Sequence, residues 1–175
     1  LDFSRATFDK SLNLQTQNVQ ISSKWPLTKL GAYFETIESG KRPVGGVGNI
    51  SEGAWSLGGE HIHASSGRVD LTTPKYVPAP FFATASRGVL RSGDILLCKD
   101  GALTGKIARL GQELDGYNAM VNEHVFLLRT ADVFKQEYAF NYLFCEQGQA
   151  LLKGAITGAA QGGLNGTNLK ELSIP

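Results

Sequence analysis

The segment from Gly93 to Lys106 gives the strongest local folding instruction in the chain. Asp94 precedes an unbroken apolar run, Ile95-Leu96-Leu97-Cys98, which leads into Lys99-Asp100-Gly101-Ala102-Leu103-Thr104-Gly105-Lys106. A short apolar run bounded by turn formers reads as a strand. Asp-Gly directly behind it is a hairpin signal, because the turn requires a positive φ that glycine adopts without steric cost. A return strand is expected at about 106–110, and two lysines and a threonine hydroxyl then sit at a stiff tip.

A phosphate-cradling P-loop does not fit this segment. That motif needs four residues between its glycines and a Ser or Thr after the lysine to reach Mg²⁺. Only Ala102, Leu103 and Thr104 separate Gly101 from Gly105, and Ile107 follows Lys106. The glycines are read as hairpin scaffold, and nucleotide hydrolysis loses its usual signature.

The remaining 161 positions bound the fold more loosely. A 175-residue chain with 42% hydrophobic residues can bury one substantial core but not two comfortable ones. The formal net charge is +1, so any nucleic-acid surface has to be a local patch. Cys98 in the apolar run and Cys145 in an expected helix have no disulfide or zinc spacing. They suit the buried or half-buried thiols of a reducing compartment. No apolar stretch approaches the ~20 residues of a membrane span, and the first residues lack the order of a secretion signal. A cytoplasmic protein without membrane contact is expected.

Along the chain, residues 1–24 are polar and rich in Asn and Gln, and read as an arm or linker ahead of a domain at 25–175. Trp25-Pro26 opens an expected helix, with Leu27, Leu30, Phe34 and Ile37 at helical spacing and Gly40 as its cap. The six glycines between Lys41 and Gly59 predict a loop containing one short strand at 54–57. Brief strands are expected at 68–71 and 124–129, and one or two helical turns at 81–87. Phe134, Tyr138, Tyr142 and Cys145 predict an amphipathic helix from 134 to 148 that continues loosely toward Lys153. Residues 155–166 read as a second glycine-rich loop, and Asn168 as the N-cap of a last short helix. The fold class is therefore α+β: one mixed domain with a central twisted, mainly antiparallel sheet and helices near both ends.

Several chemistries lack their usual signatures. No Asp or Glu has Lys two residues later, and no two prolines are adjacent. The first pattern would mark a common nuclease site, and the second the adenine-methylating grip on a flipped base. His61 and His63 would share a strand face suited to a metal, but no third ligand lies near. Cys98 is too apolar in setting to serve as a nucleophile. No catalytic residue, metal or cofactor is therefore assigned. Polar groups on glycine-rich loops remain: Lys41, Arg42, Lys99, Thr104, Lys106, Asn122 and Gln161, a set with both phosphate and base-edge donors.

Trp25-Pro26 leading to Lys29-Leu30-Gly31, then Ser39-Gly40-Lys41-Arg42-Pro43, then Gly93-Asp94-Ile95-Leu96 with Lys99-Asp100-Gly101-Ala102 and Gly105-Lys106 set an order and wording that resembles the target recognition domain of type I restriction-modification specificity subunits. Asn122-Glu123-His124 before an apolar run, and the closing Leu169, Leu172, Ile174 and Pro175, are similar to the same family. The resemblance implies a non-catalytic protein that reads one half of a bipartite target in double-stranded DNA. It implies a DNA methyltransferase subunit or domain, and in some systems a restriction subunit, as partners. In this setting Lys99, Lys106 and Arg42 are expected to position the DNA backbone, and Gln161 or Asn122 to contact base edges. The chain would be a half-length specificity protein, a trimmed piece, or part of a fused enzyme. Two rival readings stand beside it: a protein-interaction module, and a nuclease or methyltransferase with unfamiliar catalytic residues.

Overall fold

The structure, a computed structural model, describes residues 25–47, 50–158 and 162–175. Its elements run β1 (Thr28–Lys29), α1 (Leu30–Tyr33), β2 (Thr36–Ser39), β3 (Ala54–Leu57), a 3₁₀ turn (Gly59–His61), β4 (Ile62–His63), β5 (Arg68–Val69), β6 (Tyr76–Val77), α2 (Ala79–Ala83), β7 (Ile95–Cys98), β8 (Ile107–Arg109), β9 (Ala119–Val121), β10 (Val125–Arg129), α3 (Val133–Phe144), α4 (Glu146–Gly154), α5 (Gly166–Glu171) and β11 (Ser173–Ile174). The main sheet has six strands in the order β2-β10-β7-β8-β5-β4, antiparallel throughout except between β5 and β8. A three-stranded sheet β6-β3-β9 and a two-stranded pair β1-β11 complete the strands. This is the expected α+β class with its mainly antiparallel sheet.

Why Ile95 to Cys98 carry four apolar residues in a row is explained by what lies above and below them. Successive side chains of a strand point to opposite faces. Ile95 and Leu97, with Ile107, Phe126 and Leu128 from the adjoining strands, pack against Ala139, Leu143, Leu152 and Leu169 of the helices. Leu96 and Cys98, with Ala108, Val125 and Leu127, face Leu57, Ala119 and Val121 of the smaller sheet. A strand covered on both faces has no polar side to alternate. The smaller sheet is covered in turn by α2, where Phe81 and Phe82 reach Ala54, Val77 and Met120. The molecule is thus layered as helices, main sheet, small sheet and α2.

Two sequence expectations are corrected here. Residues 26–39 do not form one helix but β1, a single turn α1 and β2. Leu30 and Phe34 are both buried, as their spacing required, but the backbone turns extended at Phe34 (φ −102°, ψ 131°), and Leu27 is exposed. Thr36 to Ser39 then pair with Phe126 to Arg129, so long-range strand pairing overrides local helix preference. Gly40 is consequently no helix cap. A side chain there would place its Cβ 1.6 Å from the carbonyl oxygen of Val121, so the glycine allows β2 to run close to β9.

The expected helix at 134–148 is two helices. Cys145 is extended (φ −70°, ψ 170°), ending α3 and opening α4. Its inward face is Gln136, Ala139 and Leu143, while Phe134 and Tyr138 are exposed. Of the stripe that suggested amphipathicity, Phe134 and Tyr138 therefore lie on the outer side, while Tyr142 is half-buried against the core. The last helix is capped by Asn165, whose side chain accepts the N–H of Asn168, rather than by Asn168 itself. The strands at 54–57, 68–69, 95–98, 107–109 and 125–129 fall where expected, and the short helix α2 begins two residues before the expected turns.

Candidate nucleic-acid interface

The alternating directions of the main sheet decide which loops meet. The C-terminal ends of β2 and β7 and the N-terminal ends of β10 and β8 all lie at one end of it. Lys41 and Arg42 follow β2, Lys99 follows β7, Thr104 and Lys106 precede β8, and Asn122 precedes β10. Six of the residues singled out from the sequence are thereby gathered at one sheet end. Gln161 lies outside the described residues.

The loop from Lys99 to Lys106 is stiffened in the way its glycines suggested. Gly101 and Gly105 have φ of 80° and 85°, a region costly for residues with a side chain. Gly105 N–H donates to the Cys98 carbonyl (2.9 Å), and Cys98 N–H to the Lys106 carbonyl (2.9 Å). The Thr104 hydroxyl meets the carbonyls of Gly101 (2.7 Å) and Gly162 (3.3 Å). Lys99 is tied on both sides of its peptide, its N–H to His124 O (3.0 Å) and its carbonyl to Leu164 N–H (2.7 Å). The loop is thus one piece with the β9–β10 turn and with the segment before α5.

The side chains at this end differ in how free they are. Arg42 pairs with Glu123 (2.5 Å); the same carboxylate oxygen lies 3.2 Å from His124 Nε2, and His124 Nδ1 lies 2.7 Å from Asp100. These four residues form a chain of polar contacts across three loops. Asn122 Oδ1 accepts the His124 N–H (2.9 Å), an Asx turn that shapes the β9–β10 connection. Lys99 Nζ stands 5.5 Å from the centroid of the Phe126 ring, a favourable cation–π distance. Thr104 has its only proton engaged by backbone. Lys41 and Lys106 are the candidates with no such partner among the described residues.

Two cations join them that sequence reasoning passed over. Arg87 lines a cavity of about 200 Å³ together with Lys41, and its Nε donates to the Ser39 carbonyl (2.7 Å). Lys153, in the last turn of α4, shares a cavity of about 210 Å³ with Lys106. Nothing in the sequence marks Lys153, since a lysine near a helix C-terminus is ordinarily read as a dipole partner.

Other candidate chemistry resolves into structure. His61 is buried at 1% exposure; its Nδ1 accepts the Gly58 N–H (2.9 Å), so its Nε2 donates to the Thr73 carbonyl (3.0 Å). It ends the 3₁₀ turn rather than sharing a strand face with exposed His63, and burial pushes its pKa below the usual 6.5. Burial likewise pushes the Cys98 thiol up. Among the described residues no group of three or more His, Cys, Asp or Glu is placed to hold a metal ion. At the opposite end of the sheet a cleft of about 300 Å³ is lined by Arg91, Asp94, Arg109, Arg129 and Gln136 among others. Two of its charges, Arg129 and Asp94, satisfy each other. Arg129 holds both oxygens of Asp94 at 2.6 Å, which pushes the arginine pKa up.

Neither a protein-family model nor a curated protein matches the sequence. Solved structures do. The S subunit of the type I restriction-modification system from M. genitalium aligns with 91% of the chain at a TM-score of 0.54 and 13% identity. The fold is that of type I S subunits. The HsdS subunit from Thermoanaerobacter tengcongensis covers 90% of the chain at 0.54 and 19% identity. A structure describing complex assembly and conformational transition of the type I system covers 90% at 0.57 and 18%. The fold shared with these solved structures is the one that the sequence resemblance implies. The chain spans 34–35% of the length of these matched chains. No helix among the described residues is long and apolar enough to cross a membrane.

Proposed function

We propose that residues 25–175 form a target recognition domain that reads one half of a bipartite DNA sequence. It would act as the non-catalytic specificity component of a restriction-modification system, in the cytoplasm, and a methyltransferase partner would carry out adenine methylation. The observation that carries this reading is the gathering of Lys41, Arg42, Lys99, Lys106 and Asn122 at one end of the main sheet, within an S-subunit fold.

The chemistry of that sheet end supports the division of labour. Lysines on short, tied loops can neutralise phosphates and fix the register of a duplex without reading it. Sequence is then read by groups able to form directional hydrogen bonds with base edges, each good bidentate pair giving roughly 1–3 kcal/mol of discrimination. Arg42, expected from the sequence to position the backbone, also suits this role: Glu123 holds its guanidinium at 2.5 Å, which fixes its geometry and leaves it half exposed. Asn122 is oriented by its bond to His124, and Gln161 remains a candidate by its place in the sequence.

The test is a competition binding experiment on the purified chain, with defined and random duplexes at moderate salt, beside an incubation with duplex, Mg²⁺ and methyl donor. The reading expects sequence-dependent binding and no turnover. Turnover would favour the enzyme rival. Indifference to DNA sequence combined with tight binding to a protein would favour the interaction-module rival.

A further inference from the structure

The cavity of about 210 Å³ beside the β7–β8 loop is lined by Ala64, Lys106, Ile107, Phe144, Gln149 and Lys153. Two of these residues bear ammonium groups and none a carboxylate, so the opening favours an anion. Its volume is below the ~300–1,000 Å³ of pockets that enclose whole small ligands. A single phosphate group suits it better than a nucleotide.

The walls hold the two lysines in fixed relation. The Gln149 carboxamide donates to the Gly105 carbonyl (3.1 Å) and to the Leu143 carbonyl (2.9 Å). It thereby fastens α4, which carries Lys153, to the loop that carries Lys106 and to the end of α3. Lys106 N–H donates to Leu103 O, and its own carbonyl accepts from Cys98 (both 2.9 Å), so its backbone cannot drift. Phe144 closes the inner wall, stacked on Phe140 at 5.6 Å between centroids. Neither lysine forms an ion pair among the described residues, in contrast to Arg42 and Arg109.

We propose that Lys106 and Lys153 together clamp one backbone phosphate of duplex DNA, which makes Lys153 a register-fixing contact supplied by a helix rather than by a recognition loop. The proposal rests on the DNA-reading function above and adds a particular anion site to it. A phosphate contact carries no sequence information, so its loss weakens binding to all duplexes alike.

The decisive measurement is the salt dependence of duplex binding by the unsubstituted chain, Lys106→Gln, Lys153→Gln, the double variant and a control, Lys135→Gln on the exposed face of α3. One phosphate contributes roughly 0.9 to the log–log slope. The double variant is expected to lose about that much, which between 50 and 200 mM salt is a three- to fourfold smaller fall in affinity. Each single variant should lose part of it, with the ratio between good and poor target sequences unchanged. An unaltered slope in Lys153→Gln would overturn the clamp, as would an equal loss in Lys135→Gln or a change of sequence preference. If the unsubstituted chain bound no duplex, the DNA-reading function itself would fall, and the clamp with it.

Discussion

The two ends of the main sheet are built on opposite plans. At the end where α3 begins, polar groups are turned inward and close on one another. Asp94 is 2% exposed and accepts from Arg129 and from the Arg91 N–H; the Gln136 side chain accepts from Thr130 N–H and donates to the carbonyls of Gly93 and Leu128. At the other end the loops tie their backbones to each other and leave cationic side chains at the surface. Satisfied buried polar networks fix a unique arrangement, whereas loops on a rigid scaffold are where binding groups are commonly carried. The first end holds the fold and the second is free to vary its surface without endangering it.

Breaking the inward end should cost most. Asp94→Ala leaves the Arg129 guanidinium without its carboxylate in a largely enclosed site, and removing one partner of such a pair costs about 3–5 kcal/mol. Urea unfolding should show this as a lower midpoint with an unchanged slope; a loss under 1 kcal/mol would mean that the network is not what secures that end. Gly40→Ala probes the backbone beneath the outward end. The new methyl group must displace the Val121 carbonyl, and overpacking of this kind costs about 1–3 kcal/mol. A neutral result would show that β2 and β9 can separate at little cost.

A smaller effect follows from His61, which supports the outward end from below through Gly58. Its folded pKa lies under 6.5 because of burial, so the unfolded chain takes up a proton more readily than the folded one. The stability it contributes is full above pH 6.5 and is lost as the pH falls through the lower folded value. Denaturation midpoints measured between pH 7.5 and 5 should decline, and His61→Gln should flatten that decline. Smallest of all in stability are Lys41→Gln and Lys106→Gln, expected within about 0.5 kcal/mol of the unsubstituted chain. Both should nonetheless weaken duplex binding, and a variant that lost stability instead would blur the distinction between the two ends.

The inner strands were legible because their residues leave no alternative. Ile95 to Cys98 and Val125 to Leu128 are apolar on both faces, and the glycine turn behind Cys98 fixes where the chain reverses. The helix read into 26–39 failed because Leu30 and Phe34 satisfy both a single helical turn and the observed fold. The pairing of β2 with β10, nearly ninety residues away, decides between them. The facing of α3 was misread at Phe134 and Tyr138, which are larger than Ala139 and Leu143 although it is the latter pair that meets the sheet. Of the candidate site, the loop lysines could be named from turn chemistry. That they converge depends on strand order, which no local pattern encodes. Lys153 stayed hidden because its neighbour in space, Lys106, lies on a different element.

The central claim is that the outward end of this sheet distinguishes one short DNA sequence from others. Repeated selection of duplexes from a randomised pool by the purified chain, followed by sequencing, tests it most directly. The account predicts enrichment of a single short motif that fades when Arg42 or Asn122 is replaced. A pool that remains random through successive rounds, while the chain stays folded, would contradict it.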